Sequence, residues 1–436
     1  MTTTVETPAG KPGSGKGKGT GATSSGTPRR RLTYPMVLLL IAGGLVLLSV
    51  VRVVTGADSL TATSQWASAL SFAVPIGLAG LGGLWAERSG VVNIGLEGMM
   101  MLGLFAAGWI GWQYGPWAAV LAGIIGGMLG GLVHAVATVT FGVDHIVSGV
   151  AINILALGVV QFLAKLWFGA DGSPAKDAGG NDKQSPQMDI LQPFSVPGVA
   201  DWLGDIAGKR WFLISDLAGI LRAGVNNVSW LTLLAVLLFV GTYVVLWKTS
   251  FGLRLRSCGE NPQATESLGV NVYAYKYVAL LVSGGLAGLG GAYLAVLIRM
   301  YQDGQTGGRG YLGLATMIFG NWRPGGVATG AGLFGFMDAL QTRDGGATVH
   351  ATLLLFALAL AGVAIWQLWR GKRLTALIVA VVGAALWIWY ATTDTMPLEL
   401  VSASPYLTTL LVLTLFAQRL RTPKAVGKPY RRGEGG

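Results

Sequence analysis

In an apolar chain, polar side chains within the long hydrophobic runs are costly and mark where function or tight packing must be explained. The first such cluster is Glu87, Arg88, Ser89, Asn93 and Glu97. Asn93 and Glu97 are four residues apart, so on a helix they share a face and point together at a cavity or a neighbouring helix. Gly90, Gly95 and Gly98 beside them predict a broken or closely packed backbone. A second cluster is Ser148, Asn153 and Gln161, with Asn153 well inside an apolar run, where an amide bonds across helices or lines a path. The third is Arg299, Asp303, Gln305, Thr306 and Arg309, followed by Asp338 and Gln341. Asp338 is placed where a carboxyl group relays protons if the chain works alone. Asn93, Glu97, Asn153 and Asp338 are therefore the candidates for a polar path, each with an alternative reading as a buried structural hydrogen-bonding group.

Covalent or metal chemistry finds little support. His134, His145 and His350 are scattered without ligand spacing, so no metal site is expected. Cys258 is the sole cysteine, which excludes an internal disulfide and a cysteine-based zinc site. No serine–histidine or paired-carboxylate arrangement has the setting a hydrolase needs, so no catalytic residue and no cofactor of the chain's own are expected. The run GKPGSGKG at 10–17 resembles a phosphate-binding loop but has Gly17 where Ser or Thr must hold magnesium, and no strand precedes it.

The elements that must carry these residues are membrane helices. Of 436 residues, 52% are hydrophobic and only 12% charged, about half the charge of a soluble domain, which points to an all-α polytopic membrane protein. The 67 glycines fit close helix contacts in lipid, with Gly126–Gly127 and Gly130–Gly131 as overlapping small-residue pairs. Residues 1–34 are basic and low in complexity, expected to be disordered. Apolar runs at about 35–54, 66–84, 91–112, 116–141, 146–168, 228–247, 277–298, 347–369, 374–391 and 405–418 predict about ten transmembrane helices. Two short pieces at about 311–321 and 326–341 are either two crossings or a re-entrant pair. The acidic stretch 169–227 is expected as an extracytoplasmic insertion, its Trp202, Trp211 and neighbouring Ile and Leu residues forming amphipathic helices on the surface. Residues 228–418 hold the remaining spans and 419–436 form a basic tail.

Placing Arg29–Arg31 inside puts every strongly basic connector on one side, as the positive-inside tendency requires. Both termini are then cytoplasmic, and the net charge of +11 needs no nucleic-acid partner. The connector 249–276 also lies inside. Within it, Asn261 suits a helix cap, Pro262 the first helical position and Gly269 the residue past the end. That predicts a helix of about two turns, too short for a domain and suited to docking a soluble partner.

The run AERSGVVNIGLEGMMMLGLFAA at 86–107 resembles the signature of ABC-transporter permeases for nucleosides and simple sugars, in the wider family of ribose and branched-chain amino-acid permeases. GLRLRSCGENPQATESLGVNVYAYKYVALLVSGGLAGLGGAYLAV at 252–296, then GQTGGRGYLGLATMIFGNWRPGG and LFGFMDALQ, extend the resemblance over most of 66–342. It implies a bacterial inner-membrane importer subunit whose Gly259, Glu260, Asn261, Pro262, Ala264, Thr265 and Gly269 contact a cytosolic ATPase. Cys258 and Thr265 depart from the small residues of the pattern. The resemblance further implies ATP and Mg at that partner, a second related permease, and an extracellular substrate-binding protein. The competing reading is a proton-coupled transporter or channel working without an ATPase, with Asp338 or Glu97 as the coupling group. A membrane-embedded enzyme is the weakest of the three readings, for want of a catalytic constellation.

Overall fold

A computed structural model describes residues 34–343, 345–394, 396, 397, 399–401, 403, 404, 407 and 420–431. Of the basic segment 1–34 only Tyr34 is described, and of the expected span 405–418 only Leu407. The helices in chain order are α1 (Tyr34–Thr55), α2 (Thr63–Arg88), α3 (Leu96–Tyr114), α4 (Pro116–Ala135), α5 (His145–Trp167), α6 (Pro174–Asp177), α7 (Val199–Gly208) and α8 (Ile214–Ala223). They continue with α9 (Trp230–Lys248), α10 (Ser250–Glu260), α11 (Pro262–Ser267), α12 (Val272–Ile298), α13 (Arg309–Phe319), α14 (Pro324–Arg343), α15 (Gly345–Trp369) and α16 (Arg373–Thr392). Among the described residues, 7 helices are long and apolar enough to cross a membrane: α2, α4 with the π-helical turn Val136–Thr140 that extends it, α5, α9, α12, α15 and α16. The helices α1, α3 and α14 add 22, 19 and 20 residues, each near the length that spans a hydrocarbon core.

Packing is built on glycine. Lipid offers no hydrophobic drive between helices, so they associate where small residues let backbones touch and dispersion contacts accumulate. The sequence pairs on α4 divide their work between two neighbours. A Cβ on Gly127 would fall on the backbone of Gly284 and Gly288 in α12, and one on Gly131 on Leu280 O. Gly126 and Gly130 face α3 instead, with Leu102 O 2.8 Å and Met99 Cγ 2.9 Å from the position a Cβ would take. Gly103 of α3 also meets Gly288, so α3, α4 and α12 form one tight three-helix centre.

The chain from α12 to α14 resolves the two short apolar pieces. Arg299, just past α12, donates from Nε to Met188 O in the 169–227 segment at 3.1 Å. Trp322, just past α13, accepts from Arg88 Nε at the end of α2 at 3.0 Å. Residues 299–322 thus run from one end of the bundle to the other. Helix α14 returns, its Phe336, Met337 and Leu340 packing with Leu60 and Ala69 near the start of α2. The pair traverses the bundle twice; it is not a re-entrant hairpin.

The 169–227 segment is ordered by its contacts at the far end. Helices α7 and α8 are the amphipathic pair expected there, with Trp202 and Leu221 outward, Trp211 exposed in the turn between them, and Leu203, Ala218 and Ala223 inward. Asp216, buried in α8, pairs with Arg52 of α1 at 3.2 Å.

Substituting Gly127→Leu is expected to cost at least about 1–3 kcal/mol through overpacking against α12. Gly158→Ala, where nothing lies within 4 Å of a Cβ, is expected to be neutral or slightly stabilising. Thermal unfolding of the detergent-solubilised protein checks the pair: the midpoint falls for the first variant only.

Candidate functional site

The run expected as one span at 91–112 is interrupted. Helix α2 ends at Arg88, Gly90 takes φ +92°, and α3 begins only at Leu96. Asn93 is the reason locally: its Oδ1 accepts from Gly95 N at 3.0 Å, an alternative to the helical ladder. Asn93 and Glu97 therefore do not share a helical face, contrary to the reading from their spacing. Asn93 donates to Ser283 Oγ of α12 at 2.9 Å, whereas Glu97 turns to α13.

Free backbone groups inside a bundle must find partners, and side chains of two helices, α4 and α5, supply them here. Asn153 of α5 donates to Ile94 O at 3.0 Å and accepts from Gly98 N at 2.8 Å, closing the break and capping α3. His134 of α4 bonds Val92 O through Nε2 and Ser148 Oγ through Nδ1, both at 2.9 Å. His145 Nδ1 accepts from Val92 N at 3.4 Å. The three residues Asn93, His134 and Asn153 are all buried.

Helix α13 is held at both ends by the segments flanking this break. At its start, Glu97 accepts from Gly308 N at 3.0 Å and from Gly310 N at 2.7 Å. A carboxyl group there satisfies orphan helix donors and favours the positive end of the helix dipole. At its end, Trp322 Nε1 donates to Glu87 Oε2 at 2.6 Å while its carbonyl accepts from Arg88. Asp338 of α14 pairs with Arg309 at the start of α13 at 2.5 Å, supplying the cation that sequence proximity did not reveal. The path candidates thus converge on one region, where Asn93, Glu97 and Asn153 meet the break and Asp338 joins through α13. Beside them, Tyr311 is 48% exposed on α13, and Thr329 is exposed near the start of α14. Neither stood out in the sequence.

The connector expected at 249–276 holds α10 and α11, joined at Asn261, and its last residues already belong to α12, which starts at Val272 rather than at 277. Thr249 Oγ1 caps α10 by accepting from Gly252 N at 3.2 Å, and Asn261 Oδ1 caps α11 by accepting from Ala264 N at 3.0 Å. Gly269 takes φ +80° beyond the end of α11, the left-handed geometry expected of a helix stop. Thr265 is the inward residue of α11, its hydroxyl donating to Asn261 O at 2.7 Å. Ala264 is exposed and Leu268 is 83% exposed, so the small apolar face points away from the bundle. Glu260 and Gln263 are exposed beside it. Gly259 packs backbone to backbone on the break: a Cβ there would meet Arg88 C at 3.0 Å and Gly90 N at 3.1 Å. The exposed connector and the interrupted helix are thereby in direct contact.

A family model described as the permease component of branched-chain amino acid transport systems matches residues 65–364. The chain belongs to this permease family. Among its relatives is the guanosine ABC transporter permease protein NupQ of Bacillus subtilis, 32% identical over 84% of this chain and 95% of the relative. The nucleoside ABC transporter permease protein NupC of Lactococcus lactis shows the same identity and coverage. A putative glucose ABC transporter permease protein of Haloferax volcanii is 30% identical over 66% of this chain and 78% of that one. No solved structure matches the permease. It is a multi-pass membrane component of an ABC transporter.

Cys258, on the inner face of α10, is fully buried, and burial pushes its thiol up to about 11, with the Lys276 ammonium opposing the rise. At pH 8 only about one thousandth is thiolate. Alkylation of the folded permease is therefore expected to be slow at pH 8 and to quicken about tenfold per pH unit towards the thiol's pKa. Denaturation is expected to abolish the protection; rapid labelling of folded protein at pH 8 would contradict the burial.

Proposed function

We propose that this permease forms half of the translocation path of an ATP-driven importer for nucleosides, with simple sugars as the next substrate class to test. The reading of substrate rests on relatives named for guanosine and nucleoside transport at 32% identity along most of their length. The observation that carries the coupling mechanism is the contact of Gly259 with Arg88 and Gly90. A soluble ATPase docks on the face of α11 that exposes Ala264 and Leu268, with Glu260, Asn261 and Pro262 shaping its start. Gly259, Thr265 and Gly269 hold that face at a fixed angle. ATP and Mg bind at the partner, which carries out hydrolysis; this chain brings no cofactor.

Closure of the ATPase moves α10–α11, and Gly259 passes that motion to the break between α2 and α3. Glu97 then carries it to α13, whose start is also tied to α14 through Arg309 and Asp338. Asn93, Glu97, Asn153 and Asp338 act in this account by holding the wall of the path and resetting it between outward and inward access. Substrate binding alone shifts nothing unless the two states differ in affinity, so nucleotide must supply the bias. A second permease of the same family completes the path. The 169–227 segment is the platform for an extracellular substrate-binding protein. Both termini lie on the cytoplasmic side, which places α11 where an ATPase reaches it.

Leu268→Asp, Glu260→Ala and Asn261→Ala are expected to insert normally while nucleoside uptake per ATP hydrolysed falls, by at least about tenfold for Leu268→Asp. Radiolabelled nucleoside and sugar uptake in a strain lacking the endogenous permease measures both coupling and preference. Unchanged uptake in all three variants, or uptake driven by a proton gradient without an ATPase, would contradict the assignment.

A further inference from the structure

Residues 420–431 lie as a strap across the end of the bundle that carries α10 and α11. Pro423, Ala425 and Tyr430 turn inward and are buried, whereas Arg421, Lys424, Lys428 and Arg431 are exposed. The strap is stitched to its bed at successive points. Arg421 N donates to Asn321 Oδ1 at 2.8 Å, in the turn between α13 and α14. Ala425 N donates to Gly259 O at 2.9 Å, and Gly427 N to Gly90 O at 3.3 Å. The Tyr430 hydroxyl donates to the Glu266 carboxyl group of α11. Its ring stands 5.7 Å from that of Tyr273 and 5.4 Å from the Lys276 ammonium, both on α12.

One short segment therefore touches the α2–α3 break, the end of α10, α11, the first turns of α12 and the α13–α14 turn. Helix α11 has only 6 residues and buries only Thr265, too little to fix its own position. The Tyr430–Glu266 bond and the backbone bond to Gly259 supply the missing restraint. The strap's outward cations are exposed, as are Ala264 and Leu268 of the helix to which Tyr430 is tied.

We propose that the strap is the second half of the docking surface. It fixes α11 against the bundle and rims its apolar face with cations that meet an acidic margin on the nucleotide-hydrolysing subunit. The inference rests on the reading of α11 as the docking helix. Charge complementarity at such a rim affects encounter and salt dependence, while the buried tie sets how faithfully motion is passed on.

The test uses the assembled transporter in vesicles of phosphatidylcholine alone and in vesicles containing anionic lipid. Tyr430→Phe keeps the ring and removes the hydroxyl. It is expected to retain the ATPase subunit while uptake per ATP hydrolysed falls about tenfold, the loss of one hydrogen bond to a charged group. Glu266→Gln, which keeps an acceptor for Tyr430, is expected to lie between Tyr430→Phe and the unsubstituted permease. The double substitution Lys424→Glu with Lys428→Glu is expected to release the ATPase subunit at about 0.15 M salt in both kinds of vesicle. Wild-type behaviour of both strap variants, with Leu268→Asp still lowering uptake per ATP hydrolysed, would overturn the strap proposal and leave the docking reading standing. Wild-type behaviour of all of them would remove both. Loss by the lysine variant in anionic vesicles alone would assign the strap to lipid headgroups and overturn the proposal.

Discussion

A backbone that leaves its helix inside an apolar bundle must have every exposed N–H and C=O satisfied by protein, and the centre of this permease is arranged around that demand. Glu97 meets the sharpest part of it. Its two oxygens take the Gly308 and Gly310 amides at the start of α13, while Thr306 O of the preceding turn accepts from the Arg309 amide between them. Such charge-assisted bonds are individually worth about 1.5–3 kcal/mol, more than most single contacts in a bundle whose helices gain nothing from expelling water. Asn153, His134 and Asn93 complete the same task on the other side of the break.

The polar residues that a permease needs are thus spent on holding two discontinuous segments against one another. That arrangement is stiff locally and movable as a unit. Glycine contacts between α3, α4 and α12 give a fixed centre, where no side chain intervenes between backbones. The break, α13 and α14 lie against it and are joined to the exposed connector by the Gly259–Gly90 approach. In the proposed mechanism a push on α11 has a short covalent and packed route to the α2–α3 break and α13, with no need of a longer relay.

Local chemistry was readable in the chain, and long-range pairing was not. Asn261, Pro262 and Gly269 define α11 because a cap, a first-turn proline and a left-handed stop act within a few residues. Gly126–Gly127 and Gly130–Gly131 announced close packing, yet nothing in one dimension says that alternate members face α3 and α12. The spacing of Asn93 and Glu97 misled because it assumed a helix that Asn93 itself interrupts. The partners Ser283, Gly308 and Trp322 come from far along the chain, so only the fold joins them. The basic residues of 420–431 read as a charged tail, and their alternation with buried Pro423, Ala425 and Tyr430 gains meaning only against α11.

Transmission from the docking face to α13 through Glu97 is the central claim, and the ratio of uptake to ATP hydrolysis in Glu97 variants tests it most directly. Glu97→Gln, which retains one acceptor oxygen, is expected to keep part of the coupling. Glu97→Leu is expected to bind the ATPase subunit and support its hydrolysis while uptake is lost. Full uptake by an inserted, ATPase-bound Glu97→Leu permease would contradict the account.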